Sequence, residues 1–322
     1  MTLQVEVGRT GGPEVMQLIE RELAPPGPGM VRVANRAIGI NYIDIYHRSG
    51  LYPLPLPTGL GLEAAGIVED VGAGVELKVG ERVAYFSAGI GAYGAAINLP
   101  AERLIPLPDA VDFDTAAAVL LKGATVEDLV ERLLTLRSGH TTLFHAAAGG
   151  VGLLFGQWAA ALGAELIGTV SSEAKRERAL ASGFSHCLLS HDDVVAQVRE
   201  ITDGAMLPVV YDGVGATTFV QSLDCLAPRG LMVSFGNASG TPPPFDLQEL
   251  ANRGSLYITR PTLMSYVAAN SEMQSCAKAV LDRVADGRLK VEIAQRYPIA
   301  EVQRAHAELQ ARRTVGSSLL IT

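Results

Sequence analysis

Short runs of alternating hydrophobic and polar residues dominate the first third of the chain. Residues 1–7, 30–35 and 66–71 have this alternation, which is typical of strands with one buried face. Glycines break the runs at short intervals, as at Gly72 and Gly74. The pattern predicts a compact β-rich domain with few helices.

From about Asp114 the pattern changes to apolar strands that alternate with helices. Strands joined by helices are usually parallel, so the alternation predicts an α/β fold with a doubly wound parallel sheet. The predicted strands cover residues 142–146, 165–170, 187–190, 209–212, 231–235 and 255–259, and the predicted helices cover residues 151–162, 173–182, 194–202 and 219–226.

The last 60 residues or so contain two helical segments, residues 271–286 and 300–312, and a final strand at 317–321. The parallel sheet is already complete before this segment begins, so we expect the segment to return to the first domain. The sequence therefore predicts a β-rich domain of residues 1–120 and 263–322, and an α/β domain of residues 121–262.

Composition and charge exclude several classes of protein. The 322 residues are 48% hydrophobic and 19% charged, which excludes a disordered chain, and the net charge of −8 disfavours non-specific binding of nucleic acid. The three cysteines, Cys187, Cys225 and Cys276, can build neither a disulfide framework nor a four-cysteine zinc lobe. We therefore expect a cytoplasmic protein.

One long segment lacks Asp, Glu, Lys and Arg and could be mistaken for a membrane span. It covers 24 residues, 141–164, but glycines, His145 and Gln157 interrupt it. Its pattern changes from strand to helix at Gly149, so we interpret it as a buried strand, a turn and a buried helix. The N-terminal residues also lack the layout of a signal peptide. No membrane association is predicted.

A glycine-rich turn follows the first strand of the α/β domain. Gly149, Gly150, Val151 and Gly152 lie between this strand and the next helix. Helix N–H groups that no Cβ obstructs can bind a diphosphate, and the helix dipole adds to the attraction. The turn therefore predicts a dinucleotide site. The alternative is that the glycines only permit close packing of the helix on the strand.

The end of the second strand bears on the choice of nicotinamide cofactor. NAD enzymes usually place an acidic residue there for the ribose 2′-hydroxyl, whereas this chain has Ser171, Ser172 and the cations Lys175 and Arg176. Hydroxyls and cations suit a 2′-phosphate, so the sequence predicts NADPH. Two alternatives stay open: Glu173 could bind a 2′-hydroxyl, and the cations could form a solvated helix face beyond a Ser172 cap.

Several segments together resemble the medium-chain dehydrogenase/reductase superfamily, and specifically its NADPH-dependent quinone oxidoreductases related to zeta-crystallin. The resemblance implies a Rossmann domain with a parallel sheet plus a β-rich GroES-like catalytic domain. The segments are NRAIGINYID at 35–44, RSGLYP at 48–53, LKGAT at 121–125, the glycine turn, and LMVSFGN at 231–237.

Zinc enzymes of this superfamily have a Cys in the first loop and a Gly-His-Glu-x-x-Gly segment. This chain has Asn41 at the first position and Leu62 at the histidine position. Neither is a zinc ligand, so a reaction without a metal is predicted. The histidines show no ligand spacing, and we interpret them as core or surface residues; they are His47, His140, His145, His186, His191 and His306.

The resemblance also implies which residues bind substrate and cofactor. Asn41, Tyr46 and Tyr52 would lie near the nicotinamide and the substrate, although the tyrosines could instead only pack the first loop. The residues that match cofactor-contacting positions are Asn41, Thr125, Gly149, Gly150, Val151, Gly152, Ser171, Lys175, Ser190, Phe235 and Arg312. No residue is assigned a catalytic role.

Two positions depart from the family pattern. Ser190, followed by His191, replaces a tyrosine near the adenosine phosphate, so the phosphate affinity is weaker unless His191 compensates. Glu127 and Asp128 stand where relatives commonly have aromatic residues, which predicts an altered cleft between the domains.

The resemblance and the missing zinc ligands together predict an NADPH:quinone reductase, with the nicotinamide against a flat acceptor in the interdomain cleft. A quinone is already electrophilic, whereas oxidation of a simple alcohol would need a Lewis acid. The alternatives are reduction of an enone or enoyl thioester, and a non-catalytic NADPH-binding protein like a crystallin. The physiological acceptor, the proton donor and the number of electrons per step stay open.

Association through the α/β domain is also predicted. Residues 255–259 would form a sheet edge, and an apolar edge favours pairing with a second copy. A homodimer through these strands is therefore expected, unless residues 242–247 cover the edge.

Overall fold

The chain divides into two units in a computed structural model that describes residues 1–322. The first unit consists of residues 1–124 and 266–322, and the second consists of residues 125–265. The division expected from the sequence lies at residues 120 and 263.

The chain contains sixteen strands. In chain order they are β1 Thr2–Val7, β2 Met16–Arg21, β3 Met30–Ile40, β4 Thr58–Gly59, β5 Glu63–Val71, β6 Arg82–Phe86, β7 Ala96–Pro100, β8 Ile105–Pro106, β9 Thr141–Phe144, β10 Glu165–Val170, β11 His186–Leu189, β12 Leu207–Asp212, β13 Leu226–Ser234, β14 Tyr257–Thr259, β15 Ile293–Pro298 and β16 Ser317–Ile321.

The chain contains ten α-helices, and a π-helical segment, Asp128–Leu133, follows the second of them. The helices are α1 Tyr42–Ser49, α2 Phe113–Glu127, α3 Gly150–Ala161, α4 Glu173–Ala181, α5 Val194–Ile201, α6 Phe219–Asp224, α7 Gln248–Asn252, α8 Leu263–Tyr266, α9 Asn270–Ala285 and α10 Val302–Gln310.

The first unit is built around β3, which pairs antiparallel with β5, β7 and β16. Its main sheet has seven strands, with β15, β16, β3, β5, β6 and β8 in spatial order and β7 beside β3. A second sheet has the order β2-β1-β4. Strand β16 lies between β15 and β3, so the C-terminal segment contributes a central strand to this sheet.

The second unit contains one parallel sheet of six strands in the order β11-β10-β9-β12-β13-β14. All six predicted strands and the four predicted helices are present, with ends that differ by a few residues. The α/β prediction is confirmed. Strand order reverses between β9 and β12, and in such sheets the carboxyl ends of the strands beside the reversal form a crevice.

The alternating pattern did not predict α1, α2 or β15. Helix α2 is buried on nearly all sides: residues 116–121 are between 0 and 6% exposed, so no polar face marks a helical period. Helix α1 is short and starts directly after β3, where a capping box closes its first turn.

Several smaller expectations from the sequence concern single segments and residues. Residues 141–164 contain β9, the turn and α3, as predicted, and no helix of the protein has the length and apolarity of a membrane span. Strand β14 lies at the sheet edge as predicted, and Tyr257 on it is 60% exposed. Cys187, Cys225 and Cys276 are free thiols, and all three are buried.

Candidate functional site

The glycine turn of the second unit connects β9 to the N-terminus of α3. Ala146 adopts a left-handed conformation with φ of 60°, and the N–H of Gly149 donates to the Ala146 carbonyl over 2.9 Å. Gly149 is the N-cap of α3, and no side chain caps that helix. The first N–H groups of α3 therefore lack a side-chain partner and are available to an anion.

The turn has no room for side chains at Gly152. A Cβ on that residue would lie 2.4 Å from the Ala147 carbonyl oxygen, which belongs to the backbone and cannot move aside. A Cβ at Gly149 would lie 3.2 Å from the Ala146 oxygen. Backbone this closely packed forms a smooth cradle at the start of a helix, and it fits a dinucleotide diphosphate.

Strands β10 and β11 are parallel neighbours, so their carboxyl ends lie beside each other. The Ser190 N–H donates to the Val170 carbonyl over 2.8 Å, which places Ser190 next to exposed Ser171. Ser172 is the N-cap of α4, without a side-chain hydrogen bond. The structure therefore places Ser171 and Ser190, two residues predicted to contact the cofactor, next to each other along the backbone.

The cations that follow Ser172 both lie in α4. Arg176 forms an ion pair with Glu173 over 2.9 Å, so part of its charge is already compensated, and half-buried Lys175 lies in the first turn of the helix. His191 has a 67% exposed side chain, 3.6 Å from Asp192.

Phe235 follows β13 at the carboxyl ends of the parallel strands, and it contacts the end of β9. Its ring centroid lies 5.6 Å from that of Phe144, and its N–H donates to the Asp212 carbonyl over 2.9 Å. Gly213 has no room for a side chain, because a Cβ there would lie 2.8 Å from the Phe235 ring. Phe235 is therefore held next to the strand that leads into the glycine turn.

A buried polar network lies behind the glycine turn. His145 Nδ1 is 3.0 Å from Thr169 Oγ1, and its Nε2 is 3.0 Å from the Oγ of Ser222, which donates to Asp212 over 2.8 Å. The hydroxyl of Thr218 also donates to this carboxylate. The network joins the ends of β9, β10 and β12 to α6.

Burial decides the charge of the histidine in this network. Desolvation lowers the pKa of His145, and the nearby Asp212 carboxylate acts against that shift. Backbone N–H groups of Val214 and Gly215 also donate to Asp212, over 2.8 and 2.9 Å. His145 therefore serves as a neutral core residue, in agreement with the interpretation from the sequence.

Thr125 and the acidic pair Glu127–Asp128 lie around the end of α2. Glu127 is buried and accepts from Arg132 Nε over 2.7 Å, while Asp128 begins the π-helical segment. Burial, and then the Glu127 charge, raise the pKa of the Asp128 carboxyl to about 7, against the opposing effect of Arg132. Glu127 and Asp128, which stand where the resemblance implies aromatic residues in relatives, are thus both buried carboxyl groups.

In the first unit, Asn41 belongs to a buried cluster centred on Glu63. The Glu63 carboxylate is 0% exposed and accepts from Asn41 Nδ2 over 2.8 Å, from the Leu121 N–H over 2.7 Å, and from Lys122 Nζ over 3.1 Å. Asn41 is also the N-cap of α1. Its amide is therefore fixed by hydrogen bonds.

This cluster does not fit a zinc ion. Asn41 Nδ2 is engaged as a donor, Leu62 is buried and carries no donor atom, and Lys122 is a cation. No group of three or more His, Cys, Asp or Glu side chains is arranged to hold a metal.

The tyrosines predicted to bind substrate lie on and just after α1. The rings of Tyr46 and Tyr52 meet edge to face with their centroids 5.0 Å apart, and the Tyr52 N–H donates to the Tyr46 carbonyl over 3.1 Å. Tyr46 is buried and Tyr52 is half-buried. Asn41, Tyr46 and Tyr52 therefore come from one local segment of the first unit.

Arg312 lies in the first unit, directly after α10, in a left-handed conformation with φ of 57°. Its positive charge opposes the rise in the pKa of Tyr42 that burial causes. The other predicted cofactor residues are distributed over both units: Asn41 belongs to the first unit, and the residues from Thr125 to Phe235 belong to the second.

A second buried chain of hydrogen bonds starts at Asp44 in α1. Its Oδ2 accepts from the Asn41 N–H and from the Tyr93 hydroxyl, both over 2.8 Å. Tyr93 is 2.9 Å from His306 Nε2, and Arg48 is 3.2 Å from His306 Nδ1. Burial raises the pKa of Asp44 to about 7 and lowers that of His306 to about 3.

The sequence did not identify Glu63, Lys122, Asp44, Ser222 or Asp212 as site components. Glu63 and Lys122 are 59 residues apart, and His145 and Ser222 are 77 apart, so no local spacing connects them. The only available signal was their chemistry, because charged and polar residues in strongly apolar surroundings require a partner.

Comparisons with known proteins agree with this architecture. Residues 27–109 match the alcohol dehydrogenase GroES-like domain, and residues 150–284 match the zinc-binding dehydrogenase family. The chain is 52% identical over 324 residues to a quinone oxidoreductase of Pseudomonas aeruginosa, and the match covers 100% of both chains.

Two further relatives are similar over their full length. The crystal structure of Escherichia coli quinone oxidoreductase complexed with NADPH has a TM-score of 0.97 and 47% identity, with 100% of both chains covered. A 2-haloacrylate reductase from Burkholderia is 41% identical over 331 residues, which cover 100% of this chain and 99% of that protein.

Proposed function

Because the chain belongs to the quinone oxidoreductase family of medium-chain dehydrogenases/reductases, we propose that it catalyses the NADPH-dependent reduction of quinones. The observation that carries this proposal is the cradle at Gly152, where a Cβ would lie 2.4 Å from the Ala147 oxygen at the start of α3. Backbone that is packed so closely at a helix N-terminus suits the diphosphate of a dinucleotide.

The residues of the second unit would bind and orient the cofactor. The N–H groups at the start of α3 would bind the diphosphate, and Ser171 and Lys175 would bind the 2′-phosphate beyond β10. When bound, NADPH supplies the hydride that quinone reduction requires. Phe235 would limit the space beside the nicotinamide, because its ring is held against Phe144.

The acceptor would lie against Asn41, Tyr46 and Tyr52. The two tyrosine rings offer flat apolar surfaces with a polar edge, and their mutual contact of 5.0 Å between centroids limits their movement. A reaction without a metal ion is also part of this proposal.

A second candidate reaction is the reduction of an activated carbon–carbon double bond. The 41% identity to a 2-haloacrylate reductase favours it, and the same hydride geometry serves a conjugated double bond as well as a quinone. The two candidates differ in the acceptor only, so the cofactor site is the same for both.

An acceptor panel at saturating NADPH tests the proposal. We expect NADPH oxidation with 1,4-benzoquinone and naphthoquinones that exceeds the rate with enones or 2-chloroacrylate. Faster turnover of the acrylate or the enones would favour the second candidate. Tight binding of NADPH without turnover of any acceptor would contradict both and favour a non-catalytic protein.

We also propose a cytoplasmic homodimer that pairs two copies of β14. This strand is at the sheet edge, and the side chain of Tyr257 on it is 60% exposed. Light scattering should give twice the mass of one chain, and Tyr257→Glu should shift the protein toward monomer. Val79→Glu, at an apolar side chain that is 64% exposed in the first unit, is the matched control.

A further inference from the structure

Glu63 and Lys122 form a buried ion pair next to the residue expected to contact the acceptor. The two side chains are 0% and 8% exposed, and their atoms Oε1 and Nζ are 3.1 Å apart. Asn41 Nδ2 donates to the same Oε1 over 2.8 Å. The ammonium of Lys122 and the amide of Asn41 are therefore neighbours on one carboxylate oxygen.

The carboxylate in this cluster is fixed from several directions. Its second oxygen accepts from the Leu121 N–H over 2.7 Å, and Gly39 packs so closely that a Cβ there would lie 2.3 Å from Oε1 and 2.2 Å from the Ala117 oxygen. Glu63 is thus a rigid anchor. The group that it holds, Lys122, is in turn restricted to a small volume.

The ammonium of Lys122 has more donors than the protein uses. It carries three N–H groups, and Glu63 is the one acceptor within hydrogen-bond distance of it. A buried ion pair contributes little to stability compared with apolar residues of the same volume. A cation with two unused donors next to Asn41 is therefore better explained by an interaction with a ligand.

We propose that Lys122 is a catalytic residue that donates a hydrogen bond to the acceptor's carbonyl oxygen and stabilises the negative charge that develops there during reduction. This inference rests on the proposed function and names a residue to which that function assigns no role. Glu63 is the positioning residue that fixes the ammonium, and Asn41 is the second donor beside it.

The electrons and protons of the step balance as follows. The quinone accepts a hydride, which is two electrons and one proton, and NADPH becomes NADP⁺. The C4–H bond of the dihydronicotinamide would break and an O–H bond would form at one quinone oxygen. Both C=O π bonds are lost as the ring becomes aromatic, and the other oxygen carries the negative charge of the hydroquinone monoanion. Lys122 stabilises that oxygen by a charge-assisted hydrogen bond, and a proton from water then completes the hydroquinone.

Steady-state kinetics of Lys122→Met provide the first test. Because removal of one donor to a developing oxyanion typically costs about 10²-fold in kcat, we expect a loss of that size with an unchanged KM for NADPH. The loss should be larger for quinones of lower reduction potential, which depend more on charge stabilisation. Lys122→Arg, which keeps the charge, should recover part of the rate.

A second variant separates catalysis from charge balance. Lys122→Met leaves Glu63 as an unpaired buried charge and could prevent folding, whereas the double variant Lys122→Met/Glu63→Gln has no such charge. We expect the double variant to fold, to bind NADPH as measured by nicotinamide fluorescence, and to be as slow as the single variant. Wild-type kcat in the double variant would overturn the proposal, since Lys122 would then only neutralise Glu63.

A control variant and the wild-type assay complete the design. Lys278→Met removes an exposed lysine, which pairs with Asp282 over 2.6 Å, and should leave kcat unchanged. Quinone turnover by the wild type with no loss in the Lys122 variants would overturn this inference alone. Absence of turnover in the wild type would overturn the proposed function as well.

Discussion

The Oγ of Ser222 lies 3.0 Å from Nε2 of His145, and both residues are fully buried. Through this contact, Ser222 of α6 supports His145, which lies between the end of β9 and the glycine turn. The same hydroxyl donates to Asp212 over 2.8 Å, so one small side chain links an imidazole and a carboxylate.

Ser222→Ala should destabilise the protein by about 1–3 kcal/mol, because His145 and Asp212 would each lose a buried partner. Urea titrations of the wild type and of the variant give the two free energies of unfolding, and their difference measures the effect. Ser138→Ala, at an exposed serine of the same unit, is the control. A change for Ser222→Ala that is as small as the control's would contradict a structural role of the network.

Gly152→Ala should weaken NADPH binding by about tenfold or more, since the added Cβ would lie 2.4 Å from a backbone oxygen and must displace the turn. Fluorescence titration of the variant with NADPH gives the dissociation constant. Gly8→Ala is the control, because a Cβ at Gly8 meets nothing within 4 Å. Unchanged affinity in Gly152→Ala would exclude the turn as the diphosphate site.

Lys175→Ala should raise the KM for NADPH by about tenfold, because one charge-assisted hydrogen bond to the 2′-phosphate contributes about 1.5 kcal/mol. The KM for NADH, which lacks this phosphate, should not change. Arg176→Ala should have a smaller effect, since Arg176 is already paired with Glu173. Equal losses with both cofactors in Lys175→Ala would show that the lysine does not recognise the phosphate.

Asp44→Asn should remove a pH dependence of stability. Burial raises the pKa of Asp44 from 3.8 to about 7, so the folded protein retains a proton that the unfolded chain releases. This contribution is fully present below pH 4 and is lost as the pH rises toward 7, and its size is on the order of 4 kcal/mol.

Urea unfolding of wild type and Asp44→Asn at pH 4.5 and 7.5 measures this effect. The wild type should lose more stability than the variant between the two pH values, because the Asn amide oxygen still accepts from Asn41 and Tyr93 but does not titrate. Asp109→Asn, at an exposed carboxyl group, is the control. Parallel behaviour of wild type and Asp44→Asn would mean that Asp44 is ionised in the folded protein.

The second unit was predictable because each of its strands is a separate apolar run between turn residues. Strand β10 has the bounds that were predicted, and the glycine turn was recognised because its residues are consecutive. Helix α2 was missed since burial on all sides removes the period on which helix prediction depends.

The candidate site was predictable only where its residues are local in sequence. Tyr46 and Tyr52 lie on one short segment, and their ring contact is consistent with the loop that the resemblance implied. The Glu63–Lys122 pair joins β5 to α2, and such a contact depends on how β3, β5 and α2 pack. Residue chemistry marks these groups as needing partners, but the tertiary structure decides which partners they obtain.

Strand β16 lies inside the main sheet of the first unit, between β15 and β3, although the residues of β3 are synthesised about 280 positions earlier. During translation β3 can pair with β5 and β7, but the edge that β16 covers stays open until residues 317–321 emerge from the ribosome. The second unit, which is continuous in sequence, has no such delay. The second unit can therefore complete its fold while the chain is still being synthesised. The first unit is completed last, when β16 has been made.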